Sequence, residues 1–445
     1  MRPNKGETLR TFYLITITQV LSLIGSRMTG VAIGIRVFND TGSATPLLLV
    51  SFFSALPLML GGSLAGVLVD RWPRRSVLLL TDAGQALGTL ALLLSFSGGT
   101  FALWQLYLVT LLGGALDMLQ RPAMDSSVTM LVPEAQRDRA NAIRQITGPA
   151  AGMIAPVLTG FLYSLVGVSG VMSIDLLTFF VALLTLYLVR IPQPARSRES
   201  QESAGTVWRE MMAGFRFLGQ RPVLLVLMVF AALLNFFMFG PMNLTTPYLL
   251  TLTGSEETLG LLLGVLNMGI VIGGAVVFIW GGTRPRIHGI MLGLLFRGLF
   301  IMVYGLVRTP LMLGVSLFFV FFTTPLVDAS FMSIQQAKVP PDMQGRIFAI
   351  LFQMMYIAQP LSSLLAGPLV DRWLEPAMGQ PGWEWAARLV GTEPGSGMGL
   401  LLFVCGGVIF LMTLGMYTWP RTRSVEIDLP DYQAPASAAE IIAES

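Results

Sequence analysis

Twelve long apolar stretches, separated by short polar turns, set the pattern of this 445-residue chain. They run over 12–36, 46–69, 77–96, 101–120, 140–166 and 171–189, then over 223–250, 259–280, 287–307, 311–334, 347–370 and 400–419. A helix needs roughly 20 mostly apolar residues to cross the hydrocarbon core of a bilayer. Each stretch is about that long and ends at Gly, Pro or charge, as a helix emerging into water does. The pattern predicts an all-α, polytopic membrane protein with 12 transmembrane helices. Charged residues make up only 12% of the chain and mean hydropathy is +0.70, which excludes a soluble α/β enzyme.

Basic residues fall in alternate loops. Cytoplasmic loops retain Lys and Arg, and an even number of spans puts both termini on one side. The loops of that side hold Arg71, Arg74, Arg75, Arg121, Arg137 and Arg139, then Arg190, Arg196, Arg198, Arg209, Arg216 and Arg221, and later Arg284, Arg286, Lys338 and Arg346. The opposite loops hold Arg308, Arg372 and Arg388. The bias predicts cytoplasmic termini in a bacterial inner membrane. The net charge of +3 is thus a topology signal, and no basic run interleaved with aromatics points to nucleic acid. Cys405 lies inside the last span, which excludes an internal disulfide and suits a small packing residue. His288 is expected at a solvated loop mouth, with no second metal ligand nearby. The first apolar run is too long for a cleavable signal peptide.

The stretches divide six and six, giving predicted bundles over 1–190 and 222–420, a linker over 191–221 and a tail over 421–445. The linker opens with Pro192, Pro194, Arg196, Ser197, Arg198 and Glu199, then turns periodic. Trp208, Met211, Met212, Phe215 and Leu218 share one helical face. Such a helix lies in the membrane interface or covers the cytoplasmic mouth. The halves are related: 132–162 lies without gaps on 339–369. Arg139 falls on Arg346, Ala142-Ile143 on Ala349-Ile350, Gly160 on Gly367 and Leu162 on Leu369. A direct repeat of this kind is the ground plan of carriers that rock around a central site.

Between the second and third stretches stands Gly66-Val67-Leu68-Val69-Asp70-Arg71-Trp72-Pro73-Arg74-Arg75. This resembles the signature loop of the major facilitator superfamily: Gly, three residues, Asp-Arg, two residues, then Arg and Arg or Lys. Pro73 stands where that pattern has glycine. The corresponding loop of the second half, Gly281-Gly282-Thr283-Arg284-Pro285-Arg286, keeps two arginines and no acid. The resemblance covers essentially the whole chain and implies two pseudo-symmetric six-helix bundles with alternating access. Within that superfamily the chain is most similar to bacterial exporters of drugs and siderophores, the macrolide-efflux and enterobactin-export group. Gln19, Ser22 and Gly25, then Asp82, Asp175, the linker and Gly345-Arg346 carry the narrower likeness.

The loop's role also follows from charge. A helix N-terminus is partly positive, and the eleventh span begins near Gly345 on the same side. Asp70 set against it latches the bundles together; in the alternative, where the loop only anchors topology, Gly66 serves close helix packing alone. Arg71, Arg74 and Arg75 then hold neighbouring acids and lipid phosphates. Their alternative role is that of topology anchors alone.

Ionisable residues inside spans are costly and usually functional. Here they are Arg27, Asp82, Asp117, Arg144, Asp175, Arg297 and Asp328. At a rise of about 1.5 Å per residue, Asp82, Asp117 and Arg144 lie within about 10 Å of the cytoplasmic ends of their spans. With Arg121 they form an expected charge network, a cytoplasmic gate. Arg27 lies nearer the outer face, with Asp175 or a bound anion as its counter-charge. Asp328, among uncharged Pro325, Leu326 and Val327, is assigned to proton coupling. It sits in the tenth span, which the resemblance places on the cavity. Arg297 competes for it as a static ion pair. Asp117 is the second candidate, held ionised where Arg144 pairs with it.

The polar groups available to a substrate are Gln19, Ser22 and Arg27 in the first span, Asn235 and Asn243 in the seventh, and Gln353, Tyr356 and Gln359 in the eleventh. Phe236, Phe237, Met238, Met354 and Met355 surround them. Few polar groups among Phe and Met suit lipophilic or amphipathic molecules, though several of these aromatics equally suit a lipid-facing surface. Trp383 and Trp385 have the character of interfacial anchors. No Gly-x-x-x-x-Gly-Lys-Ser/Thr motif occurs, and His, Cys or paired carboxylates do not cluster at enzymatic spacing. The expectation is a monomeric, proton-coupled exporter of drug- or siderophore-like molecules in contact with lipid, with no cofactor or metal. A lysophospholipid or lipid-precursor carrier, or an uncoupled facilitator, is the alternative.

Overall fold

The computed structural model describes residues 5–132, 136–189, 222–338, 341–424 and 426. Among them there is no strand. In hydrocarbon every backbone N–H and C=O must be satisfied internally, so apolar stretches of this length close into helices. The first half supplies α1 (Lys5–Thr41), α2 (Thr45–Arg71), α3 (Arg74–Ser97), α4 (Leu103–Leu131) and α5 (Arg137–Leu188). α5 is two limbs joined at Gly167, whose φ of 64° suits a residue without Cβ.

Two core clusters show how these segments run. Phe12, Val69, Val77, Leu131, Ala140 and Leu186 pack together. They come from the start of α1, the end of α2, the starts of α3 and the first limb of α5, and the ends of α4 and the second limb. Ile33, Val37, Leu92, Leu106 and Met172 pack at the other extremity, with Leu47 against them. The chain therefore travels up and down between a terminal face, holding Phe12, and a far face, holding Gly167.

The second half contains α6 (Pro222–Asn243), α7 (Thr245–Thr253), α8 (Glu256–Trp280), α9 (Arg286–Leu306), α10 (Pro310–Phe322), α11 (Thr324–Lys338) and α12 (Pro341–Leu369). A π-helical turn over Val370–Leu374 leads to α13 (Glu375–Ala377) and α14 (Glu384–Val390), before α15 (Ser396–Thr418) and α16 (Pro420–Arg423). Two expected spans are interrupted. The seventh breaks at Leu244 and the tenth at Thr323. Nine stretches among the described residues are long and apolar enough to cross a membrane, and one of these covers both limbs of α5. α9 and α15 are in backbone contact at two glycine pairs: a Cβ on Gly298 would meet the Gly406 carbonyl, and one on Gly305 the Gly399 carbonyl. Small residues bring membrane helices this close because dispersion, not hydrophobic exclusion, holds them.

The halves meet at the far face and along the adjoining half of the helices. Gly260 of α8 rests on Gly160 of α5, where an added Cβ would stand 3.1 Å from the Gly160 Cα. Gly367 of α12 lies equally close to Thr45 at the start of α2. Nearer mid-depth, Gln353 donates to the Met59 carbonyl. The linker 191–221, with Trp208 and its companions, lies outside the described residues. The tail is described in part: Glu426 accepts from the Ile287 backbone N–H at 3.0 Å, capping α9. His288 is not simply solvated, since its Nδ1 lies 3.1 Å from the Tyr417 hydroxyl. Trp383 and Trp385 stack at 6.0 Å in the far-face loop.

Candidate functional site

The break between α10 and α11 creates the polar centre of the second half. Arg297, on α9, is only 6% exposed. Its Nε donates to Thr323 Oγ1 at 3.3 Å and its Nη2 to Thr324 Oγ1 at 3.1 Å. Its Nη1 lies 3.6 Å from the Met238 sulfur. The hydroxyls that receive the guanidinium are those of the interruption itself. Asp328, one turn on, forms no hydrogen bond or ion pair among the described residues, although the Arg297 charge acts on it through space. The expected static ion pair is therefore not made, because threonines occupy the guanidinium.

Both residues line a cavity in this bundle that is open to its surroundings. Its walls come from α6, α9, α11, α12 and α15, including Phe230, Asn235, Met238, Met291, Phe331 and Met355. Asn235 uses its Nδ2 on the Ala231 carbonyl at 2.8 Å. Gln335 also lines the cavity, is 1% exposed, and neither atom of its amide has a hydrogen-bond partner among the described residues.

The first half holds a different polar system. Gln19 donates to Asp82 at 2.7 Å and Gln120 donates to its other oxygen at 2.6 Å. Gln85 donates to Asp117 at 3.0 Å and to Gln120 Oε1 at 3.1 Å. The expected cationic network is thus, among the described residues, an amide–carboxylate chain across α1, α3 and α4. Arg121 is exposed and acts on Asp117 only at a distance. The Arg144 side chain lies outside the described residues. Asp175 accepts from Ser26 at 3.2 Å and Thr89 at 3.4 Å, not from Arg27. Gly25 lets α1 approach closely there, since a Cβ would collide with Thr178 and Asp175. The Arg27 guanidinium and the Asn267 amide of α8 both lie against Gly152 of α5, whose missing Cβ leaves room for the two side chains.

Of the expected substrate groups and their neighbours, Asn235, Met238 and Met355 line the cavity. Gln19 is engaged by Asp82, Ser22 is 4% exposed within helix packing, and Asn243 donates to Ser363 at 2.9 Å. Gln353 is held by α2 and Gln359 is half-buried on α12. The side chains of Tyr356 and Met354 lie outside the described residues. The amides of Gln19, Asn243 and Gln353 each find a partner on another helix, which a single span cannot reveal.

The model of the Major Facilitator Superfamily matches residues 15–363. The chain belongs to this superfamily. Macrolide efflux protein A of Streptococcus pyogenes is 26% identical over 376 residues, covering 81% of this chain and 89% of that protein. The enterobactin exporter EntS of Escherichia coli O1:K1 / APEC is 25% identical over 415 residues, covering 92% of each. Among solved structures, a bacterial homologue of the human lysosomal transporter Spinster, inward-facing and unoccupied, superposes with a TM-score of 0.73 at 17% identity. It covers 98% of this chain and is itself covered completely (100%). The superfamily and these relatives consist of transporters rather than enzymes, and the efflux relatives act on small molecules.

In this superfamily member the signature loop closes α2. The side chains of Gly66, Asp70 and Arg71 lie outside the described residues, so the proposed latch on the start of α12 is not described. Arg74 donates to the Val69 carbonyl. Arg75 donates to the Leu186 carbonyl at 2.9 Å, to the Tyr187 carbonyl, and covers the Tyr187 ring at 5.8 Å. These two arginines thus cap helix C-termini, whose exposed carbonyls carry partial negative charge. They do more than anchor topology.

Sequence reasoning missed the far-face counterpart. Asp371 accepts from the backbone N–H groups of Ala44 at 3.1 Å and Thr45 at 2.7 Å, and from the Ser43 and Thr45 hydroxyls. It therefore caps the N-terminus of α2 from the opposite bundle. A signal was available: Leu68-Val69-Asp70-Arg71-Trp72 recurs as Leu369-Val370-Asp371-Arg372-Trp373. Four residues on, Glu375 accepts from the N–H groups of Gly395 and Gly397, at 2.8 Å for the latter, and caps α15.

Proposed function

We propose that this chain is a proton-coupled secondary exporter of lipophilic or amphipathic small molecules. It works by alternating access between bundles 1–190 and 222–420, joined by the 191–221 linker. In this reading twelve spans place both termini in the cytoplasm of a bacterial inner membrane, and the chain works as a monomer among lipids. The observation that carries it is the Asp328 carboxylate, on the wall of a largely apolar cavity and without a hydrogen-bonding partner among the described residues. An acid open to the cavity and without a fixed counter-ion exchanges a proton more readily than one locked in an ion pair, because protonation breaks no existing bond. Asp117, already accepting from Gln85, is the second candidate. Asp70 remains the proposed cytoplasmic latch, matched by Asp371 on the far face.

The cycle follows from this placement. With Asp328 ionised, substrate enters from the cytoplasm; outside, a proton replaces it and the bundles return. Inverted vesicles with an imposed pH gradient test the reading. Asp328→Asn is expected to abolish uphill accumulation of a fluorescent substrate while leaving downhill exchange. A variant that still concentrates the dye as wild type does refutes the coupling role. Wild-type exchange that ignores the gradient points instead to an uncoupled facilitator.

A further inference from the structure

The cavity inside the second bundle has a more specific chemistry than general lipophilicity. Asp328, Phe331 and Gln335 sit at i, i+3 and i+7 on α11, so they share one face and all line the cavity. Two helical turns separate the carboxylate from the amide by about 10 Å. Between them lie Phe331 and, on the facing helices, Phe230 and Met291. Gln335 is 1% exposed with neither amide atom satisfied, and an unmade hydrogen bond on a buried amide is costly enough that such groups are normally paired. The charges are not equivalent. Arg297 has its nitrogens directed at Thr323, Thr324 and the Met238 sulfur, whereas Asp328 has no hydrogen-bonding partner among the described residues. The unsatisfied charge on this wall is negative.

We propose that this pocket is a binding subsite for cationic amphiphiles. A protonated or quaternary nitrogen sits at Asp328, an apolar body lies along Phe331 and Phe230, and a carbonyl, amide or hydroxyl about 10 Å away meets Gln335. The inference rests on the exporter reading and narrows it to a charge class and one bundle. Ion pairing at the cavity wall gives Asp328 leverage over cations, and the two phenylalanine faces add cation–π attraction. The amide selects among cations, because a ligand lacking the distal polar group leaves Gln335 unpaired. Competition between that cation and a proton for one carboxylate would couple the two movements without further machinery.

The test uses the purified full chain in detergent at pH 8 and two dyes that share a xanthene core. Rhodamine 6G is cationic with an ester carbonyl, and fluorescein octyl ester is anionic. Fluorescence anisotropy is expected to show saturable rhodamine 6G binding at least tenfold tighter than that of the anionic dye. Asp328→Asn should weaken rhodamine 6G binding tenfold or more, Gln335→Leu about fivefold, and Asp328→Glu less than threefold. Melting curves identify any variant that fails to fold, and Asp328→Glu keeps the charge. The proposal is overturned by Asp328→Asn binding within twofold of wild type, by the anionic dye binding as tightly, or by no saturable rhodamine 6G binding to wild type. Proteoliposome efflux separates the two claims. Gradient-driven transport with unaltered Asp328→Asn binding removes the subsite and leaves the exporter; the expected binding pattern without any gradient-driven transport does the reverse.

Discussion

Replacing Asp371 by Asn tests whether charge, rather than shape, holds the far face closed. The carboxylate accepts from two backbone N–H groups and two hydroxyls at the start of α2. Asn keeps one oxygen of nearly the same position but loses the negative charge and one acceptor. A hydrogen bond to a charged group contributes about 1.5–3 kcal/mol, and a charge at a helix N-terminus about 0.3–1 kcal/mol. Because Asn retains part of the bonding, the expected net loss is about 1.5–2.5 kcal/mol. Each 1.4 kcal/mol is roughly tenfold in an equilibrium, so the far-face-open population should rise at least about tenfold. Pulsed electron spin measurements can read this with labels replacing Asp40 and Gln380, both exposed at the far face. A Cys405→Ala background removes the chain's one native cysteine. The wild-type distance distribution should be dominated by the closed state, and Asp371→Asn should add a longer component. A distribution unchanged within twofold in population would refute the reasoning and leave the glycine contacts as the closure.

Gly260→Val should act at the same face by a different force: its Cβ has no room beside Gly160 and Pro156. Overpacking of this kind costs about 1–3 kcal/mol, read as a lower melting temperature and a wider α5–α8 separation, and an unchanged melt would contradict it. Arg75→Ala should lower thermal stability by about 1–3 kcal/mol through the uncapped Leu186 and Tyr187 carbonyls; Arg75→Lys should recover only part, since it cannot fork across both. Asp82→Asn should destabilise the first bundle, because Gln19 and Gln120 both present N–H donors to it. A compensating Gln120→Glu should restore the melting temperature more than Gln120→Leu does, and equal effects would argue against the amide chain.

Much of this architecture was legible before any coordinates. Apolar length alone marks a spanning helix, and loop glycines such as Gly167 and Gly281, both at positive φ, mark where the chain reverses. The expected spans over 311–334 and 223–250 were right in extent and blind to their breaks at Thr323 and Leu244. Interruption there leaves hydropathy unchanged, yet it presents the two hydroxyls that receive Arg297. Asp328 was singled out for its apolar neighbours, and the structure puts it on a cavity. Gln335 was overlooked because an amide near a span end reads as interfacial.

Sequence by itself determined that the chain crosses a membrane repeatedly as helices, that its halves repeat, and that its superfamily is read in one loop. These are local properties, since each stretch must satisfy its own backbone in hydrocarbon whatever surrounds it. Tertiary structure decided which polar groups neutralise one another. Gln19 meets Asp82 across 63 residues, and Thr45 meets Asp371 across 326. Such partners are chosen by which helices lie side by side and how deep each group sits. Among the described residues, that choice left Asp328 and Gln335 without partners in one cavity.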